Sequence, residues 1–195
     1  SLYIFLIFFT LQTTSQANDI RDFQIEGMSI GDSGLKYFSK DLIEKEESIK
    51  SHYNDNEFFL AWFPGHGNYE IYEFLQIHFK TNDKNYIIYS LEGKIIYKDN
   101  ISDCYNQKDK IVKELKSIFP NAKIRNNKNE HKADPTGKSL TDTTYFYFDT
   151  SWGRDKGNIG VACYDWSIES GKYDNLKVFI DSGEFKTWLD DKAWK

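Results

Sequence analysis

Three neighbouring runs decide the fold: Thr144-Tyr145-Phe146-Tyr147-Phe148-Asp149, then Ile159-Gly160-Val161-Ala162-Cys163-Tyr164-Asp165-Trp166-Ser167, then Leu176-Lys177-Val178-Phe179-Ile180-Asp181. Each is short, rich in β-branched and aromatic residues, and bounded by turn-forming residues, which is how a strand reads. Trp152-Gly153-Arg154-Asp155-Lys156-Gly157 joins the first two as a charged hairpin loop. A connection this short has no room for a crossover helix, so the strands run antiparallel.

Upstream the pattern repeats. Phe58-Phe59-Leu60-Ala61-Trp62-Phe63 is apolar at every position and stops at Pro64-Gly65, which fits a strand covered on both sides, with Trp62 in the core. Glu70 to Lys80 carries Tyr72, Phe74, Leu75, Ile77 and Phe79. Tyr86–Leu91 and Lys94–Tyr97 flank Glu92-Gly93, which reads as a hairpin closed by a type I turn with a glycine bulge.

Helix signals sit between the strands. Asp32 or Ser33 caps a short helix carrying Leu35, Tyr37 and Phe38, and Ser39 caps another running through Ile49. Asn106 opens a helix whose Ile111, Val112, Leu115, Ile118 and Phe119 form one apolar stripe, ended by Pro120. Ser182 caps a last helix with Phe185, Trp188 and Leu189 on one side. Asp22–Ile30 alternates polar and apolar like a short half-buried strand or an extended arm. Residues 121–143, with four Asn and four Lys, read as a loop holding at most one strand around Ala122–Ile124. The expected architecture is α+β: an antiparallel sheet of about six or seven strands with helices packed on one face, a two-layer sandwich.

The amino terminus reads differently. Residues 1–17 hold no charge, Leu2–Leu11 is an almost unbroken apolar run, and Ser15-Gln16-Ala17 places small residues where a signal peptidase cuts. The run is too short for the ~20 residues that a membrane-spanning helix needs. A truncated signal peptide over 1–17 and a single exported domain over 18–195, periplasmic or secreted, are the expectation. Cys104 and Cys163 fit that address: as a disulfide they close a loop of about 59 residues, worth ~4 kcal/mol in the chain-entropy model. Two inert buried thiols or a reactive thiol are the alternatives.

Composition removes some functions. With 30 acidic against 25 basic residues the net charge is −5, which lacks the basic footprint of a sequence-independent nucleic-acid binder. The four His show no metal-ligand spacing, so neither metal nor cofactor is expected. Gly137-Lys138-Ser139 ends like a phosphate loop, but Lys132 stands where the first glycine belongs.

Gly31-Asp32-Ser33 resembles the first block of the GDS-type esterases, which also need an Asp-x-x-His; here Ile49, Phe63, Leu75 and Lys128 stand three residues before the four His. Helix capping explains Asp32 and Ser33 without catalysis. Asp22-Phe23-Gln24-Ile25-Glu26-Gly27-Met28-Ser29-Ile30-Gly31-Asp32-Ser33, Tyr89-Ser90-Leu91-Glu92-Gly93, Ser102-Asp103-Cys104-Tyr105 and Cys163-Tyr164-Asp165-Trp166-Ser167 together resemble a group of small exported proteins of marine bacteria with no assigned activity. The resemblance spans most of residues 18–195 and implies export and a shared fold only. Gly34-Leu35 stands where the group has two Leu, which weakens the first helix.

Two loops remain as binding candidates: the one through His66, and the one carrying Trp152, Arg154 and Asp155. A Trp among glycines offers a large rigid surface with a polar edge, suited to a sugar or a protein partner. The leading expectation is a non-enzymatic binding module for a partner or small ligand. The rivals are a small hydrolase using paired Asp (Asp149, Asp155, Asp165, Asp181) or Asp with His66 or His78, and a structural envelope protein marked by a large exposed apolar patch.

Overall fold

The computed structural model describes residues 19–47, 53–65, 68–98 and 100–195. The signal peptide read in residues 1–17, the continuation of the second helix to Ile49, and His66 lie outside them. Seven strands, β1 (Phe58–Pro64), β2 (Phe74–Lys80), β3 (Ile88–Lys98), β4 (Lys123–Glu130), β5 (Leu140–Tyr147), β6 (Asn158–Asp165) and β7 (Asp174–Asp181), form one sheet in the order β1-β2-β3-β7-β6-β5-β4. Every neighbouring pair is antiparallel. The α-helices are α1 (Lys40–Lys45), α2 (Ile101–Ile118) and α3 (Gly183–Asp191). The expected α+β antiparallel sheet is thus what the chain builds. It consists of two meanders, β1–β3 and β4–β7, with α2 carrying the chain from the sheet's centre to its far edge.

Alternation sorts the side chains onto two faces. One face presents Phe59, Ala61 and Phe63, Leu75, Ile77 and Phe79, Leu91, Val178 and Ile180, Ile159 and Val161, and Phe146, all buried in one core. α2 closes this core with Ile111 and Leu115, followed by Phe119 just past its end, and is stapled to β6 by the Cys104–Cys163 disulfide. An ion pair between buried Lys108 and partly exposed Asp142 ties the same helix to β5. The amino-terminal arm and α1 add Phe23, Ile25, Met28 and Ile43 to the same side.

α3 departs from the one-sided arrangement. Phe58 and Tyr89 point to the opposite face, and Phe185 and Trp188 of α3 pack on them in a separate small cluster. Ser182 caps this helix and Ser39 caps α1, as their sequences indicate.

Three local expectations are corrected. Glu92-Gly93 is not a turn; it lies inside β3, where Gly93 pairs with Leu75 and Val178. A Cβ on Gly93 would come within 2.6 Å of the Tyr72 ring, so this glycine admits an aromatic ring rather than a reversal of the chain. α2 starts at Ile101 rather than near Asn106, because Cys104 and Lys108 continue its buried stripe by one more turn. Residues 123–130 form a full strand that is polar because it is the exposed sheet edge, where Lys123, Arg125 and Lys128 discourage further strand pairing. No helix among the described residues is long and apolar enough to cross a membrane.

Candidate functional site

The second face of the sheet is laid out row by row by the strand register. One row reads Leu60, His78, Ser90, Asp181, Asn158, Tyr147, Lys123 from β1 to β4. The next reads Trp62, Gln76, Glu92, Phe179, Gly160, Tyr145, Arg125, crossing all seven strands. Beyond it lie Phe74, Lys94, Lys177, Ala162, Thr143 and Asn127, and then Ile96, Asn175, Tyr164, Thr141 and Asn129. Of the three helices only α3 reaches this side, at the end of the first row. The other rows form an open face, on which Trp62, Phe74, Tyr145, Tyr164 and Phe179 are half-buried. Trp62 is therefore a ring of the open face and not a core residue: alternation turns it away from Ala61 and Phe63.

The roofed row holds a polar cluster. Ser90 Oγ donates to Asp181 Oδ1 at 2.8 Å, and Asn158 Nδ2 donates to Asp181 Oδ2 at 3.3 Å. Burial pushes the Asp181 carboxyl up to about 6, against the lowering effect of these two bonds. His78 Nε2 and the Tyr53 hydroxyl are 2.9 Å apart, and the Phe185 ring lies tilted against the imidazole at 4.5 Å. Burial, helped by nearby Lys177, drops the His78 pKa to about 3. Serine, histidine and aspartate thus share a row, but Ser90 directs its proton to Asp181 while His78 engages Tyr53. A serine nucleophile needs its hydroxyl proton directed to a base of suitable pKa, and this wiring does not pair Ser90 with the imidazole.

The open rows are wired differently. Lys177 Nζ meets Glu92 Oε1 at 2.8 Å at the centre of the face. Burial works against the Lys177 charge, but Glu92 outweighs it and holds the ammonium above its usual range. At one margin Trp166 stacks alongside Tyr164, His131 lies 4.3 Å from Trp166, and Lys172 sits 4.1 Å over the Trp166 ring. At the other margin Tyr147 meets Trp152 edge-on at 5.4 Å, with Lys123 and Arg125 over the Trp152 ring at 5.9 and 5.6 Å. Lys94 lies 5.6 Å from the Trp62 ring. Thr141 Oγ1 and Asn175 Oδ1, buried on either side of Tyr164, have no hydrogen-bond partner.

The residues singled out in the sequence fall as follows. Trp152 is 50% exposed and bears a positive φ of 59°, a conformation that costs a bulky residue energy. Asp149 holds the loop in that shape by accepting backbone N–H bonds from Ser151, Gly153, Asp155 and Lys156. Arg154 forks onto Asp191 of α3 at 2.7 and 2.9 Å, and Asp155 accepts from Ser151 Oγ at 2.7 Å, so both are engaged in tying the loop down. The four aspartates considered for acid–base work do not converge: Asp149 and Asp155 belong to this loop, Asp181 to the roofed row, and Asp165 to the opposite, α2-covered face. Among the described residues, no three His, Cys, Asp or Glu side chains are grouped so as to hold a metal ion. Trp62, Tyr164, Trp166, Lys94 and Lys172 were missed in the sequence: the strand register assembles Trp62, Lys94 and Tyr164 on one face, and Trp166 and Lys172 join them through contacts from the β6–β7 connection.

A cavity of about 60 Å³ under α2, walled by Phe23, Ile95, Ile111, Leu115, Ile118 and Val178, belongs to the core side. Its lining is mostly apolar, with Glu26 and Glu114 also part of it, and it holds only a few atoms. The chain matches no protein-family model, no curated protein and no solved structure.

Proposed function

We propose that this protein is an exported, non-enzymatic binding module that takes a carbohydrate chain across the open sheet face, with Trp152 at its margin. The observation that carries this reading is the face itself. Half-buried rings of Trp62, Phe74, Phe179, Tyr145, Tyr164 and Trp166 alternate with amides and hydroxyls from Gln76, Asn127, Asn129, Thr141 and Asn175. Sugar rings offer apolar C–H faces to aromatic planes and hydroxyls to the groups between.

A protein that only needed to be soluble would have a polar outer face. Export fits the disulfide and the apolar run at residues 2–11. The rival reading, a hydrolase, would draw on His78, Ser90 and Asp181 beside α3, but Ser90 is bonded to Asp181 while His78 is engaged by Tyr53, so no serine–histidine pair forms.

Screening the oxidised full chain on a glycan array tests the proposal, followed by titration of the best ligand into Trp62→Ala and Trp166→Ala variants. Each truncation is expected to weaken binding at least tenfold while the protein still unfolds cooperatively. Failure to retain any glycan, or wild-type affinity in both variants, overturns it.

A further inference from the structure

We infer that the carbohydrate read by the open face is acidic, carrying carboxylate or sulfate groups along the chain; this rests on the carbohydrate reading above. Four cations border the face, and each lies over an aromatic ring: Lys94 over Trp62, Lys123 and Arg125 over Trp152, and Lys172 over Trp166. Among the described residues none of the four has a carboxylate within ion-pair distance, whereas Lys177, which also lies over a ring of this face, is paired with Glu92. The carboxylate on the open rows, Glu92, is engaged by Lys177. A chain of net charge −5 therefore turns a positive face outward, and it does so where its exposed rings are.

The rings hold these cations without neutralising them. A cation–ring contact at an exposed site is weaker than a charge-assisted hydrogen bond to an anion. The exposed Lys123, Arg125 and Lys172 can therefore leave their rings for an arriving acid group and uncover them for stacking in the same movement; Lys94 is half-buried within the face. The spacing suits a polymer. Lys94 on β3 and Arg125 on β4 are separated by four strand steps, roughly 19 Å at about 4.8 Å per step, which spans several sugar units. The same geometry disfavours single-stranded nucleic acid, whose phosphate at every unit calls for a denser basic track than four side chains around a central carboxylate.

The test uses the oxidised full chain and ligands that share one backbone: dextran, carboxymethyl-dextran and dextran sulfate, with polyglutamate and oligo(dT) as anions without that backbone. Calorimetry at low and high salt is expected to show the carboxylated or sulfated form binding on the order of tenfold tighter than dextran, about the effect of one charge-assisted hydrogen bond. That margin should shrink at high salt, and a Lys94→Gln/Lys172→Gln variant with unchanged melting temperature should lose it. Preference for one acidic form over the other identifies the acid group. Equal binding of dextran and its acidic forms overturns this inference and leaves the carbohydrate reading standing. Binding of polyglutamate or oligo(dT) as tight as that of the acidic dextrans overturns the inference as well. If no dextran form binds, this inference falls, and the carbohydrate reading is decided by the glycan array.

Discussion

The two faces of one sheet are built on opposite terms. The face under α2 is aliphatic and phenylalanine-rich, fully buried, and secured by a disulfide and a lysine–aspartate pair. The other is made of Trp, Tyr, Lys, Glu and amides, half-exposed, and roofed only at the α3 end. Every strand except the edge strand β4 contributes to both, so composition alone does not separate them. Stability is concentrated on the first face, which leaves the second free to carry recognition.

The largest effect expected from breaking this division is on the staple. Replacing both Cys104 and Cys163 by Ala should cost about 4 kcal/mol of unfolding free energy, read by denaturant titration, because the bond joins helix to sheet on the load-carrying face. Next, Leu91→Ala should cost about 3 kcal/mol as a fully buried core truncation. Trp62→Ala, on the neighbouring strand pair but the open face, should cost well under half as much. Equal losses would show that both faces hold the fold together.

A subtler effect separates the roofed row from the open rows. Asp181 has a raised folded pKa, so its contribution to stability is full below the unfolded value near 3.8 and is lost as pH rises through about 6. A shift of this size corresponds to something on the order of 3 kcal/mol. His78 works in the opposite sense: its folded pKa is depressed to about 3, so its contribution is present above 6.5 and declines as pH falls toward 3. The two offset each other between about pH 4 and 6.5. Asp181→Asn should steepen the loss of stability on acidification across that window, and His78→Gln should make stability rise instead, both read from melting curves at stepped pH. Identical pH profiles in wild type and both variants would contradict the burial of this pair.

The smallest effect concerns the loop at Trp152. Arg154→Ala frees Asp191 at the surface and should alter stability no more than ordinary surface substitutions do. Because Arg154 is already occupied, ligand affinity should change less than with Trp152→Ala. The reverse order would make Arg154 a direct contact.

Much of the fold was legible in the sequence because local chemistry and global pattern agree there. Strands β5, β6 and β7 are dense in β-branched and aromatic residues, and Ser39 and Ser182 cap their helices as serine does. What was not legible has identifiable physical causes. β4 hides as a polar stretch because an exposed edge buries almost nothing. Gly93 looks like a turn residue because the sequence does not reveal the Tyr72 ring lying against it. The candidate site was visible only at its margin, where Trp152 stands out among glycines. Trp62 and Trp166 lie 104 residues apart; the antiparallel register puts Trp62 and Tyr164 on one face, and Trp166 stacks alongside Tyr164.

The central claim is that recognition belongs to the open face and not to the α2 side. Amide chemical-shift mapping during titration with an acidic oligosaccharide addresses it most directly. The account predicts that the shifting residues trace Trp62, Gln76, Phe179, Tyr145, Tyr164 and Trp166 across the sheet, while α2 and the arm at Phe23–Met28 stay unmoved. Shifts confined to α2, to the cavity beneath it or to the arm would contradict it.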